Sequence, residues 1–409
     1  MAREMKDSGI EWIGEIPREW EVAQLKRFIN VNNGREIETE VQDTNGAIPV
    51  YGSGGVFKYT NIPLFDGETV MFGRKGTLGK PIYANEKLWT VDTMYFLTFS
   101  DDIFAKFNYY QLVSFDWNPH ITQTALPSVV GSEIVSCHFA FPPFSEQQSI
   151  AVFLDTQCAH IDSVIEKTRA AIEEYKKLKQ AVITKAVTKG IRPNREMKDS
   201  GIEWFPVIPM EWTVSRVGLH YDIILGKMLC QNQLNNDYTL EPYYCAANVH
   251  FDGVSNTDLK QMWFSTAEKE QYLVKEGDLL VVEGGAGAGG SAIVVSVDKP
   301  TYVQNSVMIV RPKNTSNNCY LRYLLEFLVK EGYIEVACNK ATIPHFTKDK
   351  LANVPYLVSN EQSEIVAYLD EKTAAIDSLV QKKEQLITEL EAYKKSLIYE
   401  YVTGKKEVV

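Results

Sequence analysis

Two stretches of the chain repeat their apolar positions every seven residues. Between residues 146 and 190 the series runs Leu154, Ile161, Thr168, Tyr175 and Val182, joined three residues on by Val164, Ala171 and Leu178. Between 361 and 404 it runs Leu369, Ile376, Lys383, Leu390 and Leu397, joined by Leu379, Leu386 and Tyr393. Charged residues fill the other positions, so each stretch predicts one long helix with a narrow apolar seam. At 1.5 Å rise, about 43 residues extend roughly 65 Å. Pro142-Pro143 precede the first helix, Ser145 with Gln148 and Ser359 with Gln362 fit capping boxes, and Gly190 and Gly404 mark the stops. The expected seam is Leu154, Ile161, Val164 and Leu178 against Leu369, Ile376, Leu379, Leu386 and Leu390. One such helix cannot bury its own stripe, so the two are expected to pack on each other as an antiparallel coiled coil. The alternative is that each packs on its own globular block.

Outside the helices the pattern shortens to strand length. Strand candidates are Glu68–Phe72, Thr93–Phe99, Leu279–Glu283, Ala292–Val297 and Ser306–Val310, bounded by Gly, Pro and Asp. Helix-like segments follow at Asn108–Ser114 and Tyr320–Lys330. The string EMKDSGIEW occurs at 4–12 and again at 196–204, and the match continues through Ile16-Pro17 and Ile208-Pro209, then Glu19-Trp20 and Glu211-Trp212. A second set of matches pairs Glu146-Gln147 with Glu361-Gln362, Leu154-Asp155 with Leu369-Asp370, Ile161-Asp162-Ser163 with Ile376-Asp377-Ser378, and Val187-Thr188 with Val402-Thr403. The chain is two copies of one plan. The blocks between the repeated ends, 21–141 and 213–357, show little detailed similarity beyond a Thr124-to-Pro127 and a Thr342-to-Pro344 loop. The expected divisions are 1–145, 146–190, 191–360 and 361–409. The fold class is α+β, with two globular domains of mixed strands and helices separated by the helix pair and related by a pseudo-two-fold axis, one globe at each end.

Composition narrows the function. The chain has 409 residues, 45% hydrophobic and 23% charged, which is globular rather than disordered. No run approaches the roughly 20 apolar residues of a membrane helix, and no signal peptide opens the chain. Six cysteines without a C-x-x-C pair fit a reducing, cytoplasmic setting. The net charge of -11 argues against a nucleic-acid binder. By block, residues 1–145 carry 12 Lys+Arg against 18 Asp+Glu, and residues 191–360 carry 16 against 19. Positive charge is local: Arg74, Lys75 and Lys80 in one block, Lys340, His345, Lys348 and Lys350 in the other.

Catalytic chemistry is absent from the motifs. Gly285-Ala286-Gly287-Ala288-Gly289-Gly290 matches G-x-G-x-x-G, yet runs into the strand-like Ser291–Val295 instead of a helix, so it reads as a glycine hairpin. Gly73–Lys80 fails phosphate-loop spacing, and Pro81 replaces the magnesium-binding Ser/Thr. Phe141-Pro142-Pro143-Phe144 lacks the Asn that opens the N-P-P-[YF] motif of amino-methyltransferases. There is no H-E-x-x-H and no G-x-S-x-G.

The duplicated D-S-G-I-E-W…I-P-x-E-W signature, P-P-x-x-E-Q at Pro142–Gln147, and the two E-Q-x…L-D…I-D helices ending in V-T resemble the specificity subunit of type I restriction-modification systems, over essentially the whole chain. Gly73-Arg74-Lys75-Gly76…Gly79-Lys80 and Glu283-Gly284-Gly285 resemble segments of that family's recognition domains; Pro355-Tyr356 departs from Pro142-Pro143. The resemblance implies a non-catalytic DNA reader. Each recognition domain would bind half of an interrupted, asymmetric double-stranded site, with the helices setting the spacer. Two methyltransferase subunits would bring S-adenosylmethionine and methylate adenine, and restriction motor-nuclease subunits would use ATP and Mg, with no cofactor in this chain.

A two-fold arrangement places half-site centres about one helical turn apart, roughly 34–36 Å. Candidate DNA contacts are Arg74, Lys75, Thr77 and Lys80 with Gln123 and Thr124 in the first block. In the second they are Gly285, Gly287, Thr342, His345 and Lys348. The acidic balance predicts weak DNA binding by the chain alone. The competing reading is a two-lobed scaffold that binds no DNA.

Overall fold

The computed structural model describes residues 3–37, 39–41, 47–338 and 344–408. The chain divides into two compact units, Met1–Ala170 with Lys383–Val409, and Ala171–Lys382. The long helices are Phe144–Lys189 and Gln362–Val402, and each unit holds a segment of both. Among the described residues no helix is long and apolar enough to cross a membrane.

The repeated signature folds identically in each unit. Met5–Asp7 pairs with Glu15–Pro17, and Met197–Asp199 with Val207–Pro209, in the same antiparallel register. The turn is written in the sequence: Gly9 N donates to Asp7 Oδ1 at 2.9 Å and Ile10 N to Ser8 Oγ at 3.1 Å, and Gly201 and Ile202 repeat this at 2.8 and 3.0 Å. Such side-chain turns explain the Asp-Ser-Gly string.

The signature tryptophans anchor the heads of the long helices. In the first unit Trp20, 1% exposed, donates Nε1 to Glu146 Oε2 at 3.2 Å, while Arg3 bonds Glu146 at 2.7 and 2.9 Å and also pairs with Glu19. In the second, Trp212 donates to Glu361 at 3.0 Å, and Arg195 bonds Glu361 at 2.5 and 3.2 Å and pairs with Glu211. Glu361 is 1% exposed and Arg195 10%, so this is a buried, charge-assisted lock. One step along each helix, Tyr110 donates to Asp155 at 2.6 Å and Tyr323 to Asp370 at 2.7 Å. The helix ends return to the signature. Gly404 lies against Pro17 and Trp20, and Gly190 lies against Trp212, both at positive φ near 70° where an added Cβ would collide.

The expected seam needs one correction. Leu154, Cys158, Ile161, Ile165, Thr168 and Ile172 are buried, as are Leu369, Thr373, Ile376 and Leu397. The second series therefore follows the first by four residues, not three. Val164 is half-buried beside buried Ile165, while Leu178, Leu379, Leu386 and Tyr393 are 49%, 42%, 40% and 55% exposed. Both spacings fit a heptad; the packing takes the four-residue step, with Ile165 and Ile172 buried and Val380 and Ile387 half-buried, in place of Val164, Ala171, Leu178, Leu379 and Leu386. Across the helices Asp162 pairs with Lys394 and Arg169 with Glu391 in the first unit, and Lys179 pairs with Asp377 in the second, all in antiparallel sense. The first helix also starts one residue before the expected cap: Ser145 is inside it, and Pro143 O accepts from Glu146 and Gln147. At the second helix Ser359 Oγ accepts from Glu361 N at 3.1 Å, while the Gln362 amide turns to Tyr356 Oη and Leu357 O instead of closing the expected box.

The blocks, dissimilar in sequence, share a strand plan. The first has a six-stranded sheet in the order Ile29–Asn33, Met94–Phe99, Phe65–Gly73, Ile82–Thr90, Ile48–Gly52, Gly55–Thr60, and the second a four-stranded sheet ordered Tyr221–Leu225, Val307–Pro312, Leu279–Val282, Ser291–Ile293. Both sheets are covered on two faces. Val70 and Phe72 pack with Leu97 and Leu112 while Met71 packs with Ala84 and Leu88; Val281 and Met308 pack with Leu321 while Leu280 and Ile309 face Val249 and Val303. Beside each sheet, Glu21–Gln24 pairs antiparallel with His138–Phe141 and Thr213–Arg216 antiparallel with Pro355–Val358. Gly34 N bonds Met94 O and Arg35 N bonds Thr90 O; Gly226 N bonds Val307 O and Lys227 N bonds Val303 O.

Two expected outcomes follow. Ile161→Ala should cost about 2–5 kcal/mol of stability in a urea titration, while Leu386→Ala should stay within about 0.5 kcal/mol. Glu361→Gln, which leaves Arg195 only the half-exposed Glu211 as counter-charge, should cost about 1–3 kcal/mol, and Glu364→Gln far less.

Candidate nucleic-acid interface

In the first block, the loop after Phe65–Gly73 carries the basic cluster. Its backbone is tied down: Arg74 N and Lys75 N both donate to Thr93 O, at 2.8 and 3.3 Å, and Thr77 N donates to Ser53 Oγ at 3.2 Å. Val129 N donates to Arg74 O at 3.0 Å, and Lys75 stands opposite Ser128 in an antiparallel bridge. This joins the loop to the segment holding Gln123 and Thr124. Arg74, Lys75, Lys80, Gln123 and Thr124 are exposed and Thr77 is half-buried. Thr124 donates Oγ1 to Leu126 O at 2.9 Å, and Thr122 and Ser128 hydroxyls meet at 3.0 Å, which pins the segment. Among the described residues the Arg74, Lys75 and Lys80 side chains have no ion-pair partner. The result is uncompensated cation on a fixed backbone, suited to phosphate or base-edge contact.

In the second block the glycine loop joins the antiparallel strands Leu279–Val282 and Ser291–Ile293, so it is a hairpin loop and no dinucleotide turn. Gly285 and Gly287 lie on it, Gly285 half-buried and Gly287 exposed. Phe346 N donates to Glu283 O at 2.6 Å, Gly285 N to Pro344 O at 3.2 Å, and Gly284 stands opposite His345 in an antiparallel bridge. His345 is exposed beside the glycines. Lys348, also exposed, is drawn away: it opens the short helix Lys348–Ala352 and lines a depression with Asp222, Arg311 and Lys313. Thr342 and Lys340 lie outside the described residues.

Pattern reading missed Arg35, Lys227 and Glu283. The signal was present: the spacing that relates the two signatures also relates Gly34-Arg35 to Gly226-Lys227. The two cations differ in use. Arg35 is exposed, whereas Lys227 is buried, donating to Trp263 O at 2.9 Å and Glu268 at 2.5 Å over the Tyr238 ring. Burial pushes the Glu268 carboxyl up, but the Lys227 ammonium and the Ser265 backbone N–H outweigh it and hold the group below its ordinary value.

Catalytic geometry is not what these sites offer. A cleft of about 850 Å³ lined by Glu11, Trp12, His120, Cys137 and His138 holds a Cys137 Sγ to His120 Nε2 contact of 3.7 Å. Burial pushes that thiol up, away from thiolate reactivity. Among the described residues no group of three or more His, Cys, Asp or Glu is placed to hold a metal ion.

The family described as type I restriction modification DNA specificity domain matches residues 17–174 and 209–389, one match over each block and the helix after it. The chain belongs to this family. Its members are the DNA-recognition components of type I restriction-modification systems and are not themselves catalytic. The type I restriction enzyme MjaVIII specificity subunit of Methanocaldococcus jannaschii is 23% identical over 353 residues, covering 77% of each chain. Two solved structures are similar in fold. One, from work on complex assembly and conformational transition of the type I R-M system, has a TM-score of 0.70 at 15% identity and covers 96% of this chain and 99% of its own. The other, the HsdS subunit from Thermoanaerobacter tengcongensis, has a TM-score of 0.54 at 16% identity and covers 96% and 98%.

The Glu268 carboxylate gives a pH expectation. Its folded pKa lies below the unfolded one, so its contribution is present above the ordinary Glu range and is lost as pH falls through the folded value. Denaturant midpoints should drop with acid more steeply for the natural chain than for Glu268→Gln.

Proposed function

We propose that each block reads one half of an asymmetric, bipartite double-stranded DNA site through its paired loops. The observation that carries this is the shared backbone bridge, Arg74-Lys75 on Ser128-Val129 and Glu283-Gly284 on His345-Phe346, one within each family match. In this reading Arg74, Lys75, Thr77, Lys80, Gln123 and Thr124 serve one half-site, and Gly285, Gly287, Thr342 and His345 the other. Fixed backbone with exposed side chains is the arrangement base-edge contact requires. Residues 1–145 and 191–360 act as recognition domains, and 146–190 and 361–409 as the spacer.

The spacer works as an antiparallel coiled coil. In support, the repeat-related residues exchange partners: Asp162 pairs with Lys394 and Asp377, its counterpart, with Lys179, the counterpart of Lys394. Reciprocal pairing of this kind is what a pseudo-two-fold axis generates. Catalysis belongs to partners in the cytoplasm, two S-adenosylmethionine-dependent adenine methyltransferase subunits and motor-nuclease subunits using ATP and Mg. With a net charge of -11, the chain alone holds DNA weakly.

Footprinting of the assembled methyltransferase complex tests this. The double variant Arg74→Ala, Lys75→Ala should lose protection of one half-site and keep the other. With Lys75 on phosphate, the slope of log K against log salt should fall by about 1. Unchanged protection of both halves defeats the assignment.

A further inference from the structure

The two loop bridges share their register and a hydrogen bond, yet their side chains are opposite in character. Val129 N donates to Arg74 O where Phe346 N donates to Glu283 O, and Val129 and Phe346 are both buried, at 1% and 0%. Arg74 and Glu283 therefore hold equivalent positions. At the next position Lys75 faces Ser128 across the bridge, while Gly284 faces His345. An added Cβ at Gly284 would lie 3.2 Å from His345 Nδ1, so the bulk that Lys75 supplies in one block comes from the opposite strand in the other. Arg74 is exposed and Glu283 half-buried, and neither side chain has a hydrogen-bond or ion-pair partner among the described residues. A carboxylate left unpaired at a nucleic-acid face works against phosphate affinity. Its use there is to accept a hydrogen bond.

We propose that Arg74 and Glu283 are the equivalent base-reading residues of the two blocks, Arg74 taking a guanine through O6 and N7 and Glu283 taking a cytosine through its N4 amino group. Lys75 and His345 flank them from opposite strands of the bridge. Donor fork and acceptor pair are the complementary major-groove readers of these two bases. The same step of each half-site is thus a G·C pair read in opposite orientation, which makes the full site non-palindromic at that step.

This inference rests on the DNA-reading function proposed above, and the test separates the two. The complex of this chain with its methyltransferase partner is used to methylate a random-sequence duplex library, and modified molecules are sequenced. A bipartite motif from the natural chain supports the DNA-reading function; modification without sequence preference defeats it. Glu283→Gln should then relax one cytosine in one half-site, and Arg74→Gln one guanine in the other. Each should reduce discrimination at that step about 10–100-fold, with the untouched half-site reporting intact folding. A motif unchanged in both variants, or relaxed at an A·T step, overturns the inference while the DNA-reading function stands.

Discussion

A carboxylate at the head of each long helix, buried in Glu361 and half-buried in Glu146, organises the structure. Glu146 and Glu361 each collect an arginine from the chain's signature and an indole N–H from its tryptophan, and burial makes those bonds directional and costly to break. That single cluster fixes where the signature hairpin, the helix entrance and the arriving end of the other helix meet. The Tyr–Asp bond further along ties the block's own helix to the same rod. The frame is therefore pinned by charged and polar groups that recur at fixed spacing, over an apolar core of its own that joins Ile16 and Trp20 to Leu154, Ile161 and Leu397.

This division explains what was legible beforehand. The frame was readable because most of its contacts use residues whose repetition shows in the chain: Trp20 and Trp212, Glu146 and Glu361, Asp162 and Asp377; Arg3 and Arg195, one residue ahead of the repeated string, were missed. The helices were readable from their heptads, but a heptad does not say whether the second row follows the first by three residues or four. Leu178, Leu379 and Leu386 pointed one way and Ile165, Ile172 and Ile387 the other, and only packing decides. The shared sheet of the two blocks was hidden because strand pairing is made by backbone, which tolerates Ile29 at one position and Tyr221 at its equivalent. Gly34 and Gly226 survive because the chain passes so close to the carbonyls of Thr90 and Val303 that a side chain would collide.

For the site, the basic cluster of the first block was legible from charge beside glycine. The second block was harder. Its glycine loop and His345 are joined by backbone hydrogen bonds between segments far apart in the chain, and Lys348, near in sequence, is turned toward Arg311 and Lys313 by the helix it begins. Proximity along the chain was a poor guide there; strand register was the better one.

The signature hairpins have an evolutionary consequence. Because EMKDSGIEW builds the same turn and the same first strand in both places, a crossover within that string leaves the turn unchanged whichever block and helix follow it. Identical strings at the two places would thus let a different block be joined to a turn that folds the same way.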